Sequence, residues 1–299
     1  MGVFFRNSRK WIGYALYCMV VTGALLYFLF PADILPVIME NALAKSNSQL
    51  RASIKGASIT FPFGIKILQA RFFLKQEPTA LVEVRQALLR PQIFSLLKGK
   101  LESSLECTAY EGKIESRIQV PKNGVKGPVE VVARLKNVDI GEYMYLQNLL
   151  KRKISGKISG KITYKGAMSD PGGGIGDAHF IWTDGLVQLS EAIPFLDFDS
   201  VDFKKMDITI KLKKRSICLN RLRVDSSRFY GFFNGTIDLE RDLSASRLEL
   251  KGKIRPAAAF MRTISKNPAV RAFLTRHLKG GRISVVIFGS LRSPRIKFM

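Results

Sequence analysis

Histidine is the side chain best suited to acid–base or metal chemistry near neutral pH, and this 299-residue chain has 2, His179 and His277. Neither has a cysteine, carboxylate or second histidine at the spacing of a recognised ligand motif, so both read as structural. The run Gly172-Gly173-Gly174-Ile175-Gly176-Asp177 is the nearest approach to a phosphate loop. It lacks the Gly-Lys-Ser/Thr ending that grips a triphosphate, and no strand-then-helix pattern surrounds it. A flexible turn after Asp170-Pro171 explains it better. The acidic pairs Asp197 with Asp199 and Glu240 with Asp242 stand among polar neighbours at turns, where nothing would separate their proton affinities. No G-x-S-x-G elbow is present, and no thiol has a plausible base beside it. These residues provide for no reaction, no metal and no cofactor, and a non-enzyme is expected.

The elements around them begin with an uncharged apolar run from Ile12 to Phe30. As a helix it would span roughly 28 Å, about one hydrocarbon core. Its anchoring side chains would be Ile12, Leu16, Val20, Leu25, Leu29 and Phe30. Arg6, Arg9 and Lys10 precede it without an acid, whereas Asp33, Glu40 and only Lys45 follow closely. The positive-inside bias then places residues 1–11 in the cytoplasm and 31–299 across the membrane. Thr22-Gly23-Ala24 could serve as a signal-peptide cleavage site, but the apolar run continues past it to Phe30, which favours a retained anchor. A lipoprotein signal fails because Tyr17 precedes Cys18. Cys107 and Cys218 then lie in a disulfide-permissive compartment, as a long-range bridge or as two small buried hydrophobes.

With Lys+Arg 48 against Asp+Glu 24, the formal net charge is +24. Such a field favours anionic surfaces such as lipid head groups. Nucleic acid is not an expected partner beyond a membrane, and no zinc-finger spacing or compact basic helix supports it. Many basic residues (Lys204, Lys205, Lys211, Lys213, Lys214, Arg215) are scattered as on a solvated sheet face, so simple solvation remains an alternative.

Past a short amphipathic helix around Leu35 to Leu43, the periodicity becomes that of strands. Phe61 to Ile67 reads as a strand broken by a turn, Arg71 to Lys75 as another, and Leu81 to Leu89 as a third. Pro91 to Gly99 reads as a short helix. Further strands are expected over Lys113–Val120, Val129–Leu135, Ser155–Tyr164, Ala178–Thr183, Leu186–Ser190, Met206–Lys213, Ile217–Asp225, Phe229–Leu239, Ser246–Ile254 and Arg282–Gly289. Asp139 should cap a helix over Ile140–Lys151, and Pro256–Leu278 should be helical with a break at Asn267-Pro268. Gly156, Gly160, Gly235, Gly252 and Gly281 open similar strand phrases, which suits bulges in a bending sheet. Met206, Ile208, Ile210 and Leu212 alternate with polar residues and form one apolar face. That face is either ordinary core or the lining of a groove for acyl chains or an extended partner. The expected fold is mainly β: one N-terminal transmembrane helix, then a large, twisted, curled antiparallel sheet with a few short helices.

Several phrases, taken in order, resemble the protein N family of type II secretion systems, in its longer bacterial form. They are Phe30-Pro31-Ala32-Asp33, Ile59 to Ile67, Val138 to Leu149, Ile154 to Ile158, Ile193-Pro194-Phe195, Phe233 to Ile237, Lys251 to Pro256 and the closing Gly280 to Phe298. The resemblance covers nearly the whole chain. It implies a single-pass bacterial inner-membrane protein with a periplasmic β-rich domain, partnered by the membrane and by other secretion components. Ala87 to Leu101 is also similar to AsmA-type proteins, which implies a long curled sheet and a phospholipid partner. Neither resemblance carries a catalytic residue.

Overall fold

The computed structural model describes residues 33–299 apart from 47–48, 61–63, 76, 93–94, 96–100, 122–126, 168–169, 190–198 and 265–267, together with 13–14, 16–18 and 21–22. Of the expected anchor, Leu16 is described, in a helical stretch and 63% exposed. Ile12, Val20, Leu25, Leu29 and Phe30 lie outside the described residues, as do Arg6, Arg9, Lys10 and most of the short helix expected from Pro91 to Gly99. Among the described residues no helix is long and apolar enough to cross a membrane, a statement about helices and not strands.

Alternating apolar and polar residues, separated by tight turns, build one 15-stranded antiparallel sheet among the described residues. The strands are β1 (Leu50–Thr60), β2 (Gly64–Leu74), β3 (Ala80–Pro91), β4 (Leu101–Ala109) and β5 (Gly112–Val120). They continue with β6 (Val129–Asp139), β7 (Ile154–Gly166), β8 (Ile175–Gln188), β9 (Ser200–Lys213) and β10 (Ser216–Asp225). The last are β11 (Phe229–Asp238), β12 (Arg247–Pro256), β13 (Leu278–Lys279), β14 (Arg282–Ser290) and β15 (Pro294–Phe298). Each strand pairs with the next through β12, which then pairs with β14. The far side of β14 is shared, with β13 opposite Arg282 and Ile283 and β15 opposite Val285 to Gly289.

The helix α1 (Ile34–Ser46) covers the free edge of β1. Leu35 is buried, Met39 packs on the buried cluster of Ile54, Ile67, Ala70, Val84 and Ala87, and the Glu40 carboxylate accepts the Ile54 backbone N–H at 2.7 Å. An unpaired strand edge is thereby closed.

Several expected elements change shape. Ala178–Thr183 and Leu186–Ser190 belong to one strand, β8, which ends at Gln188; the step between them is a kink at Asp184, whose φ is 49°. Arg71 to Leu74 is the end of β2, not a separate strand. The Ile140–Lys151 helix divides into a 3-10 turn over Ile140–Glu142 and α2 (Met144–Leu150). Asp139 does cap the turn, accepting from Gly141 N–H at 2.8 Å, but Tyr143 leaves the helical region at φ −86°, ψ 79°. Its ring packs against Tyr110 at 5.3 Å instead. The Pro256–Leu278 segment forms α3 (Ala258–Ile264) and α4 (Pro268–His277).

Two contacts show that the sheet coils. The Asn148 side-chain amide donates to the Thr79 hydroxyl at 3.0 Å, tying α2 to the start of β3. The same helix lies against Leu243–Ala245, the 3-10 turn between β11 and β12. In a flat meander the β6–β7 connection that carries α2 would stand about four strand spacings, roughly 19 Å, from the β2–β3 connection, and about five, roughly 24 Å, from the β11–β12 turn, which leaves the opposite end of the sheet. Only a sheet that twists and curls, with its strands tilted, brings them together.

Candidate functional site

The register carries the apolar face of β9 across its neighbours. Met206, Ile208, Ile210 and Leu212 stand opposite Trp182, Phe180, Ala178 and Gly176 of β8. On the other side they meet Val224, Leu222, Leu219 and Ile217 of β10. From β8 the row continues to Ile158, Gly160, Ile162 and Tyr164 of β7, and from β10 to Phe233 and Ile237 of β11. It passes through β12 by Leu248, Leu250 and Ile254 to Ile283, Val285 and Ile287 of β14. One side of the coiled sheet is therefore apolar across consecutive strands. Two of the recurrent glycines make this possible. Gly235 sits at φ +151°, where a side chain would run into the Glu249 carbonyl, and Gly252 leaves the space that the Phe233 ring occupies.

This face is closed at one end and open at the other. Met206 is buried, and Ile208 packs with it in a cluster that includes Phe203, Val224, Phe233 and Val285. Met261 of α3 and Leu274 and Phe273 of α4 cover that cluster. Ile210 and Leu212 belong to neither core cluster and stay half-buried, as do Ile162, Tyr164, Ile217, Ile237 and Leu250 nearby. A second cluster, built on Ile54, Ile67, Ala70, Val84 and Ala87, lies under α1 at the other margin of the sheet. Around Ile210 and Leu212 the half-buried side chains alternate with Ala178, Leu219 and Leu248, which are buried.

The opposite face is polar and laced with cross-strand ion pairs. They include Arg71–Glu83 at 3.6 Å, Arg117–Glu102 at 3.1 Å, Lys136–Glu115 at 2.6 Å and Lys165–Glu130 at 2.7 Å. His179 is on this face, its Nε2 3.2 Å from Asp207 Oδ1, with more than half of its side chain exposed. His277 packs between the rings of Phe273 and Phe298. Among the described residues, no group of three His, Cys, Asp or Glu side chains is placed to hold a metal ion.

The other residues singled out for chemistry have local work. Arg215 grips Asp170 at 2.8 Å and donates its backbone N–H to the Gly172 carbonyl, so the glycine run is a turn pinned between β7 and β8. Asp242 accepts from both the Ser244 hydroxyl and its backbone N–H at 2.9 Å, and these bonds hold its carboxyl below the ordinary range. Asp197 lies outside the described residues. Cys107 and Cys218 are both free, on opposite faces of the sheet, and burial pushes the Cys107 thiol up. Burial also drives the Tyr143 phenol up to about 12, beside Tyr110 and Tyr145.

Sequence reasoning located the β9 face but not the α2 contacts, which depend on curvature and leave no local signature. No protein-family model, curated protein sequence or solved structure matches this chain.

Proposed function

We propose that this protein is a non-enzymatic, membrane-tethered lipid-binding protein that holds acyl chains of phospholipid along the half-exposed strip around Ile210 and Leu212. The observation that carries this reading is the continuity of that strip across β7 to β12, together with its exclusion from both core clusters. Aliphatic side chains left half-exposed favour an apolar occupant, at roughly 25 cal/mol per Å² removed from water. The excess of basic residues suits anionic head groups at its margin. α1 supports tethering, since Ile34, Val37 and Ile38 stay exposed immediately after the 12–30 run. In this reading the run anchors the chain in a bacterial inner membrane, with the sheet on the periplasmic side.

A second reading, an accessory component of type II secretion, draws on the resemblance to the protein N family. It is favoured by β15, which among the described residues pairs with β14 alone and presents an edge to a partner strand.

The test compares phospholipid retained by the full chain, extracted and purified identically, with that retained by Ile210→Asp and Leu212→Asp. Loss of lipid from folded variants supports the acyl-chain reading. Lipid retained unchanged, or absent from the wild-type protein, overturns it and leaves the secretion reading standing.

A further inference from the structure

The ion-pair lacing of the outer face stops at the C-terminal strands. From β2 to β9, basic residues on that face meet carboxylates on adjacent strands. Within strands β10 to β15 the one ion pair among the described residues is Lys251 with Glu249, neighbours on a single strand, and Arg228 in the β10–β11 turn reaches back to Asp202 of β9 at 3.4 Å. Arg223, Lys253, Arg295 and Lys297 form none there, and all are exposed.

Each of three outward aromatic rings has at least one basic residue opposite it on a neighbouring strand. Phe232 is 44% exposed and has Arg223 opposite it on one side and Lys253 on the other. Tyr230 is 48% exposed beneath the Arg255 guanidinium, 5.5 Å from its ring centroid. Phe288 is 38% exposed and faces Arg295. The carboxylates on or beside this face are Glu249, engaged by Lys251 and opposite Phe288, Asp225 opposite Tyr230, Asp207 opposite Arg223, and Asp238 opposite Arg247. Outward aromatics cost solubility and serve no core, since the inner side of these strands already supplies Phe233, Val285 and Ile283 to the buried cluster.

We propose that the outer face of β10 to β15 is a docking surface for an anionic lipid bilayer, with Tyr230, Phe232 and Phe288 entering the head-group layer and the basic residues meeting lipid phosphates. Aromatic rings settle at the membrane–water interface, and cations near an anionic leaflet are held there. A duplex nucleic acid would use the charges but has no comparable place for three outward rings on a broad sheet. The surface is separate from the inner strip and does not depend on what that strip holds.

The experiment uses the full chain, fixed through an N-terminal tag in amphipol, and measures capture of phosphatidylcholine vesicles with and without roughly a third phosphatidylglycerol. Anionic vesicles should be captured, more weakly as salt rises, and neutral ones should not. Phe232→Ser with Lys253→Glu should weaken capture about tenfold or more, while Lys161→Glu on β7 leaves it within about twofold. Arg295→Glu with Lys297→Glu is an independent variant on the edge strand, and thermal melting checks that each variant is folded. Equal capture of neutral vesicles, or equal loss in the β7 variant and the patch variants, overturns the proposal. Tighter binding of a duplex oligonucleotide through the same residues overturns it as well.

Discussion

Phe233 and Leu212 are both apolar and both point to the same side of the sheet, yet they should answer mutation differently. Phe233 is buried in the cluster under α3 and α4, so Phe233→Ala should cost about 3–5 kcal/mol in chemical denaturation. Leu212 is half-buried and outside both clusters, so Leu212→Ala should cost about 1 kcal/mol or less. Equal large losses would show that the whole face is closed core. Tyr143 provides a pH readout. Its folded pKa of about 12 lies above the ordinary 10.0, so the folded state holds this proton more tightly than the unfolded chain. Its contribution is complete below pH 10 and is lost as pH rises toward 12. Absorbance titration should show late tyrosine ionisation that Tyr143→Phe diminishes, with the melting temperature falling in that window. Alternation made the β9 face legible in the sequence, because a period of two needs no tertiary knowledge. Burial was not legible: Ile208 and Ile210 have the same local pattern, and the packing of α3 and α4 separates them.

Among elements, α1 tests how the sheet protects its first edge. The Glu40 carboxylate is the acceptor for Ile54 N–H, a charge-assisted bond at a partly buried site. Glu40→Ala should therefore lower stability by about 1.5–3 kcal/mol and raise self-association measured by light scattering. A variant as stable and monodisperse as wild type would mean that the helix, and not this bond, guards the edge. Strands with clean alternation, such as β5, β7, β10 and β14, were readable to within a residue or two. β4 and β15 were not. In β4 the serines Ser103 and Ser104 blur both faces, and β15 carries Pro294, Arg295 and Lys297, which mask a strand at an edge. The 140–151 segment misled because its cap was real but its helix was interrupted by the Tyr143 ring packing on Tyr110.

At the scale of the whole molecule, the coil of the sheet decides whether the apolar strip is a trough or one side of an open plate. The bond between Asn148 and Thr79 gives a direct handle. Thr79→Cys combined with Asn148→Cys should form a disulfide on mild oxidation, seen as a mobility shift reversed by reductant. Nothing in the amino-acid pattern announced that contact, since it joins segments made neighbours only by curvature. The most direct test of lipid holding is site-specific photo-crosslinking in the full-length protein in cells. A photoactivatable side chain placed at Ile210 or Leu212 should yield phospholipid adducts in mass spectra, whereas one at Thr209 or Lys211, on the opposite face, should not. Adducts of equal yield from both faces, or none from Ile210 and Leu212, would contradict an acyl-chain site on the inner strip.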